Sequence, residues 1–222
     1  MLRDTLLIAG KDLRIELRSR VVINQMAPFA LLVLVLFAFA LGPDRNPLIT
    51  AAPGLFWMAV LFSTMFAVQR SFSLESAEGL RDSMALAGID PAGFFAGKLL
   101  AIGSELFALE VLVTSGIIVL YGAHVKSPAE LLVSGILGTV GLAAAGTIYG
   151  ALVSGMRLRE TLLPLLFLPV ASPVLIAGTR AWQIGLQGNS SASSPWLGLL
   201  GAFAALYICV GIVLYGPMED MK

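Results

Sequence analysis

Cysteine, histidine and charge are scarce in this chain. Cys209 is the only cysteine among 222 residues, which excludes an intrachain disulfide. His124 is the only histidine and has no second histidine, cysteine or acid at metal-ligand spacing, so no metal centre is expected. Charged residues make up 13%, against about 25% in ordinary soluble domains. The 14 basic and 14 acidic residues cancel, so bulk charge points to no polyanion, and nucleic acid is not expected as a partner. Catalytic motifs are missing as well. Gly93-Phe-Phe-Ala-Gly97-Lys98 approaches a phosphate-binding loop, but Ala92 stands where that loop needs glycine and Leu99 where it needs Ser or Thr. The chain is therefore not expected to bind ATP in that way or to be an enzyme.

What the chain does have is apolar length. Hydrophobic residues reach 58% and mean hydropathy is +0.90, which makes this an all-α integral membrane protein. A span needs about 20 apolar residues. Six stretches qualify: 21–41, 51–68, 99–121, 131–155, 162–176 and 196–215. Residues 1–20 precede them as an interfacial helix. Leu2, Leu6, Ala9, Leu13 and Leu17 share one face, and Arg3, Lys11, Arg14 and Arg18 the other. Eleven basic residues (Arg3, Lys11, Arg14, Arg18, Arg20, Arg70, Arg81, Lys98, Arg157, Arg159, Lys222) fall on one side of the spans. Three (Arg45, Lys126, Arg180) fall on the other. The basic side is expected to be cytoplasmic, with both termini and residues 69–98 inside.

That 69–98 interval is the longest polar stretch between two spans. Leu80, Met84 and Ala87 lie on one helical face, Ser73 and Ser76 offer N-caps and Gly88 a stop. The pattern predicts a short amphipathic helix over about 74–87. A new helix follows, with Asp90 at its cap and Pro91 at its first position. Such a helix needs a surface to pack on, and it suits docking to a soluble partner through Glu75, Glu78, Gly79, Leu80, Arg81 and Met84.

Inside the membrane three features stand out. Glu105 and Glu110 lie in the third span, and intramembrane acids are functional candidates. They are about 140° apart on a helix, so they cannot form one site by themselves. A local hydrogen bond from Thr114 to Glu110 is open to that pair, and so are a role in a substrate pathway and a role as a fastener of this helix to another subunit. The fifth span is short and carries Pro164, Pro169 and Pro173, so it is expected to kink or to stop partway. Residues 178–195 then read as a polar loop. Gly146, Gly150 and Ser154 form a small-residue stripe for close helix packing. Trp57, Trp182 and Trp196 read as interfacial.

Several of these stretches carry a resemblance. Lys11–Arg20, KDLRIELRSR, leading into a first span, is similar to the start of the haem exporter protein B (CcmB) family. So are Arg70-Ser-Phe-Ser-Leu-Glu75 with Glu78-Gly79-Leu80, Pro91 and Gly97-Lys98. The segment Leu168-Pro-Val-Ala-Ser-Pro-Val-Leu-Ile-Ala-Gly178 resembles that family's proline-bearing fifth span. Length and span number also match. One departure is Glu78-Gly-Leu-Arg-Asp82, where the family commonly has a more acidic stretch. The resemblance implies an ABC-2-type, permease-like subunit of a cytochrome c maturation complex in the bacterial inner membrane. Its implied partners are a cytoplasmic ABC ATPase that alone binds ATP, other haem-handling membrane proteins and a periplasmic haem chaperone. Haem is implied as substrate, with no covalently bound cofactor. Whether haem is moved or ATP serves to release the loaded chaperone stays open. His124 is a loop residue, with haem-iron ligation the sharper role open to it. Two other readings share the architecture: an exporter subunit for a lipid, polysaccharide or drug, and a non-transporting assembly factor.

Overall fold

The apolar runs form helices that outlast the hydrocarbon they would cross, because polar side chains leave a membrane without ending a helix. The computed structural model describes residues 1–20, 22–42, 44–77, 88, 90–154, 156, 158–188 and 193–220. The helices are α1 (Leu2–Ser19), α2 (Ala27–Ala40), α3 (Arg45–Ala77), α4 (Pro91–Tyr121), α5 (Pro128–Val153), α6 (Arg159–Gln187) and α7 (Ser194–Asp220). A π-helical turn, Val22–Met26, precedes α2. The described residues contain no strand.

Five helices, α3 to α7, are each long and apolar enough to cross a membrane. The first expected span differs. The 14 residues of α2 reach only about 21 Å, short of a hydrocarbon core of about 30 Å. A sixth crossing arises only when α1 and residues 24–40 are taken together as a pair bent by 53°. Arg20 makes the corner: its φ of 54° is left-handed, and its N–H closes α1 on the Glu16 carbonyl.

Helix α5 sits at the centre, packed against α3, α4, α6 and α7. Its small residues explain that place. A Cβ added at Gly146 would lie 2.8 Å from Val68 on α3, and one at Gly150 would lie 2.7 Å from Phe72. The small-residue stripe is thus an interface within the chain.

Three expectations are corrected. The helix expected over 74–87 does not start afresh at 74, because α3 runs unbroken to Ala77, and residues 78–87 lie outside the described residues. Ser73 is an interior residue whose hydroxyl bonds back to Arg70, not a cap. The fifth span neither stops nor gives way to a loop at 178, because α6 continues through Pro164, Pro169 and Pro173 to Gln187. Pro173 has no N–H for the Pro169 carbonyl, and the Ser172 hydroxyl takes that carbonyl at 2.7 Å. Tyr207 of α7 donates to the adjacent Val170 carbonyl at 2.8 Å. Gly178, Ala181, Trp182, Gly185 and Leu186, read as loop, are the buried stripe of its last turns. Third, Trp57 and Trp182 are core residues with 1% and 2% exposure. Gly138 and Gly178 leave the slot that Trp57 fills, since a Cβ at either would collide with its indole.

The expected start of α4 holds. Asp90 is its N-cap residue and Pro91 its first, although the Asp90 side chain makes no capping bond.

Candidate functional site

Among the described residues, one polar site lies at the end of the bundle where α1 packs and another deeper between α4 and α5. The first is built on Lys98, two turns into α4 and fully buried. Its ammonium meets Asp12 Oδ2 of α1 at 2.8 Å and Ser71 Oγ of α3 at 2.7 Å. The rings of Phe72 and Phe94 stand 5.2 and 5.6 Å from it, within cation–π range. Asp12 also takes Lys11 at 3.1 Å, and Glu16, one turn on, faces Arg70 at 3.8 Å. Glu105 is half-buried two turns beyond Lys98, in the field of Glu16, Asp12, Arg70 and Lys98.

The local sequence explains why α1 comes so close. Gly93 and Gly97 stand one turn apart on α4 and present no side chains. A Cβ at Gly97 would lie 2.6 Å from Ile8 Cβ and 2.9 Å from the Thr5 carbonyl oxygen. One at Gly93 would lie 3.0 Å from Asp4 Cβ. The segment that approaches a phosphate-binding loop is a helix-receiving face, and its lysine finds its anion on α1. Accordingly α1 buries Thr5, Ile8, Ala9, Asp12 and Glu16. Ala9, expected on the outer apolar face, points inward, while Leu2, Leu6 and Leu17 remain exposed.

The second site is a cavity of about 390 Å³ between α4 and α5, with Phe56 of α3 and Trp182 of α6 among its walls. That volume lies in the range of small-molecule sites. Phe107, Val111 and Leu132 line it with Thr114 and Ser115, and the acid that lines it from α4 is Glu110. Glu110 is 4% exposed and accepts a hydrogen bond from the Thr139 hydroxyl of α5. Its partner is therefore across the helix interface and not Thr114, which lines the same cavity. Gly135 makes room for the carboxyl, since a Cβ there would lie 2.9 Å from Glu110 Oε2. Phe56 stacks on Trp182 at 3.9 Å to form one wall.

The two intramembrane acids thus serve separate places, as their angular offset requires. Pro164, Pro169 and Pro173 lie on α6 and are not among the residues that line the cavity. Glu78, Gly79, Leu80, Arg81 and Met84 lie outside the described residues, as does the side chain of Glu75, whose backbone lies in the last turn of α3. Sequence reasoning missed the Lys98–Asp12–Ser71 set. The available signal was the glycine pair beside Lys98, facing a helix whose Asp12 and Glu16 are one turn apart.

The comparisons with known proteins agree with one another. A family model described as "CcmB protein" matches residues 3–214. The chain belongs to the CcmB family. Among CcmB relatives, heme exporter protein B of Pseudomonas aeruginosa is 31% identical over 209 residues, covering 89% of each chain. That of Rhodobacter capsulatus is 32% identical over 183 residues, covering 82% of this chain and 83% of its own. That of Haemophilus influenzae is 30% identical over 211 residues, covering 95% and 92%. CcmB membership accounts for the residues that carried the resemblance. Two of them, Gly97 and Lys98, have a structural reason to stay together, since one admits α1 and the other bonds it.

Proposed function

We propose that this multi-pass membrane protein is the membrane subunit of a haem exporter complex, without catalysis of its own. A separate cytoplasmic ATPase drives it by docking on the segment between α3 and α4, through Glu75, Glu78, Gly79, Leu80, Arg81 and Met84. The observation that carries the reading is family membership over nearly the whole chain, joined to a bundle of apolar helices. Two features support the docking segment. It joins the ends of two long helices that extend past their apolar portions, so a push on it reaches both α3 and α4. The two helices it joins are tied to α1 by the polar junction of Lys98, Ser71 and Asp12. ATP would serve either to move haem or to free a haem-loaded periplasmic chaperone, in company with other cytochrome c maturation proteins of the inner membrane.

The docking test is Leu80→Asp with Met84→Asp. Each removes an apolar anchor worth about 2 kcal/mol. The ATPase is expected to stop co-purifying and c-type cytochromes to vanish, while the subunit still inserts. If both survive, docking lies elsewhere.

The proposed orientation puts both termini in the cytoplasm, on the charge distribution. It is supported by the poorly basic loops sharing one end: Arg45 abuts Gly122, and Lys126 abuts Gly188. The exposed Leu2, Leu6 and Leu17 of α1 suit a helix lying at the headgroups. Single cysteines at Asn46, Lys126 and Ser191 in a Cys209→Ala background should react with an impermeant thiol reagent in intact cells. Protection at two of the three rejects the orientation.

A further inference from the structure

The cavity beside Glu110 opens sideways. Phe107, Val111 and Ile118 of α4 and Leu132 of α5 line it and are also exposed on the outer surface of those helices. Both helices are long and apolar enough to cross a membrane, so the opening faces lipid and not water. The lining stretch of α4, Phe107 to Ile118, covers about 16 Å of helix, close to the depth of one leaflet. One wall is flat, with Phe56 and Trp182 stacked 3.9 Å apart at 22°. Trp182 is 2% exposed, and its indole N–H has no hydrogen-bond partner among the described residues. Thr139 donates to Glu110 Oε1, while Oε2 borders the gap that Gly135 leaves, where a Cβ would stand 2.9 Å from it. Thr114 lines the same cavity one turn along from Glu110.

We propose that this cavity binds a neutral, membrane-soluble ring compound with oxygen substituents, of the quinone and quinol class, which enters sideways from the lipid and bonds Glu110 and Thr114. Entry through hydrocarbon selects against ligands that carry charge. Size selects further. A cavity of about 150 Å³ holds one benzene. One of about 390 Å³ holds a substituted ring with the start of a tail, and the four linked pyrroles of haem exceed it. The stacked wall suits a flat ring. A carboxyl serves both forms of the ligand, since protonated it donates to a carbonyl and ionised it accepts from a hydroxyl. An indole N–H only donates, so a ring oxygen at this wall is the kind of group that would meet it. A phospholipid tail matches the length of the cavity but offers nothing to an acid, a hydroxyl and an N–H, which are costly in hydrocarbon unless bonded. This binding needs α4 and α5 to span the membrane. It is independent of the export and docking readings above, so its failure leaves them standing.

The full chain, purified in detergent micelles, is titrated with a short-tailed benzoquinone while tryptophan emission is followed, because quinones quench indoles on contact. Beyond a linear collisional part, quenching is expected to saturate in the micromolar range. Trp182→Phe removes the reporter on the cavity wall and should abolish at least half of the saturable part. Thr114→Val removes the hydroxyl and keeps the shape, and should raise the half-saturation concentration at least threefold. Thr114→Phe fills the cavity and should raise it at least tenfold. Ser104→Val, an exposed position of α4 outside the cavity, should bind as the unaltered chain does. Quenching that stays linear in the unaltered chain overturns the proposal. So does saturation unmoved by both Thr114 substitutions, or by Thr114→Val alone where Thr114→Phe cannot be purified. A phospholipid with brominated tails that quenches Trp182 and displaces the quinone at equal concentration assigns the cavity to an acyl tail and overturns it as well.

Discussion

Replacing Gly97 by alanine adds one methyl group at the most crowded point between α1 and α4. The new Cβ would lie 2.6 Å from Ile8 Cβ, 2.9 Å from Ile8 Cγ2 and 2.9 Å from the Thr5 carbonyl oxygen. Carbon atoms rest about 3.5–4.0 Å apart, so α1 must retreat by roughly 1 Å. No rotamer change avoids this, because a Cβ and a backbone carbonyl stay where the helix puts them. A retreat of that size would stretch the Lys98–Asp12 contact from 2.8 Å beyond hydrogen-bonding range. Overpacking alone costs about 1–3 kcal/mol. Weakening the ion pair adds to that, toward the roughly 3–5 kcal/mol of a buried charge left without its partner. The assay is thermal loss of the monodisperse peak of the detergent-purified subunit, read beside insertion level and cytochrome c yield in cells. The midpoint should fall by several degrees. Gly103→Ala, on the same helix with open space at its Cβ, is the control. It should be neutral or slightly stabilising, because alanine is the better helix former by about 1 kcal/mol. Ile8→Ala should not rescue Gly97→Ala, since the Ile8 Cβ and the Thr5 carbonyl remain. Equal behaviour of the Gly97 and Gly103 variants would refute the reasoning.

Two further outcomes are expected. Glu110→Gln keeps an acceptor for the Thr139 hydroxyl and should retain more than half of the cytochrome yield, whereas Glu110→Leu leaves that hydroxyl without its acceptor and should lower both subunit level and yield. Loss of yield in an assembled Glu110→Gln complex would instead assign the acid a charged or proton-bearing step. Gly138→Ala should prevent stable accumulation by driving a methyl into the Trp57 ring, and Trp57→Leu should partly restore it, because leucine lacks the Cη2, Cζ2 and Cζ3 atoms that the methyl meets. An unchanged yield of purified Gly138→Ala subunit would count against the buried placement of Trp57.

Apolar length made α3 to α7 legible as spans, and the reading failed where polarity or proline was taken as punctuation. Ser73 looked like a cap, yet nothing from Gln69 to Ala77 opposes a helix, so α3 simply ran on. The prolines of α6 looked like breaks, yet a serine one residue before Pro173 supplies the donor that the ring removes. Trp57 was misplaced because its burial depends on Gly138 and Gly178, two glycines distant in sequence whose meeting no local pattern records.

The charged junction was hidden for a related reason. The rule that charge within a span signals function selects Glu105 and Glu110, which lie inside apolar runs. It passes over Asp12 and Lys98, because each stands in a stretch polar enough to be read as solvated. Yet a lysine beside two glycines one turn apart is a poor candidate for solvent. The glycines invite a helix to within contact of the backbone, and whatever helix arrives covers the ammonium next to them. A covered ammonium requires an anion on the arriving helix. The one polar helix that precedes the spans carries Asp4, Asp12 and Glu16. Of these, Asp12 lies one turn past Ile8, the residue that fills the Gly97 notch, and so arrives level with Lys98. The pairing therefore follows from helix register once the glycines are read as a seat and not as a loop.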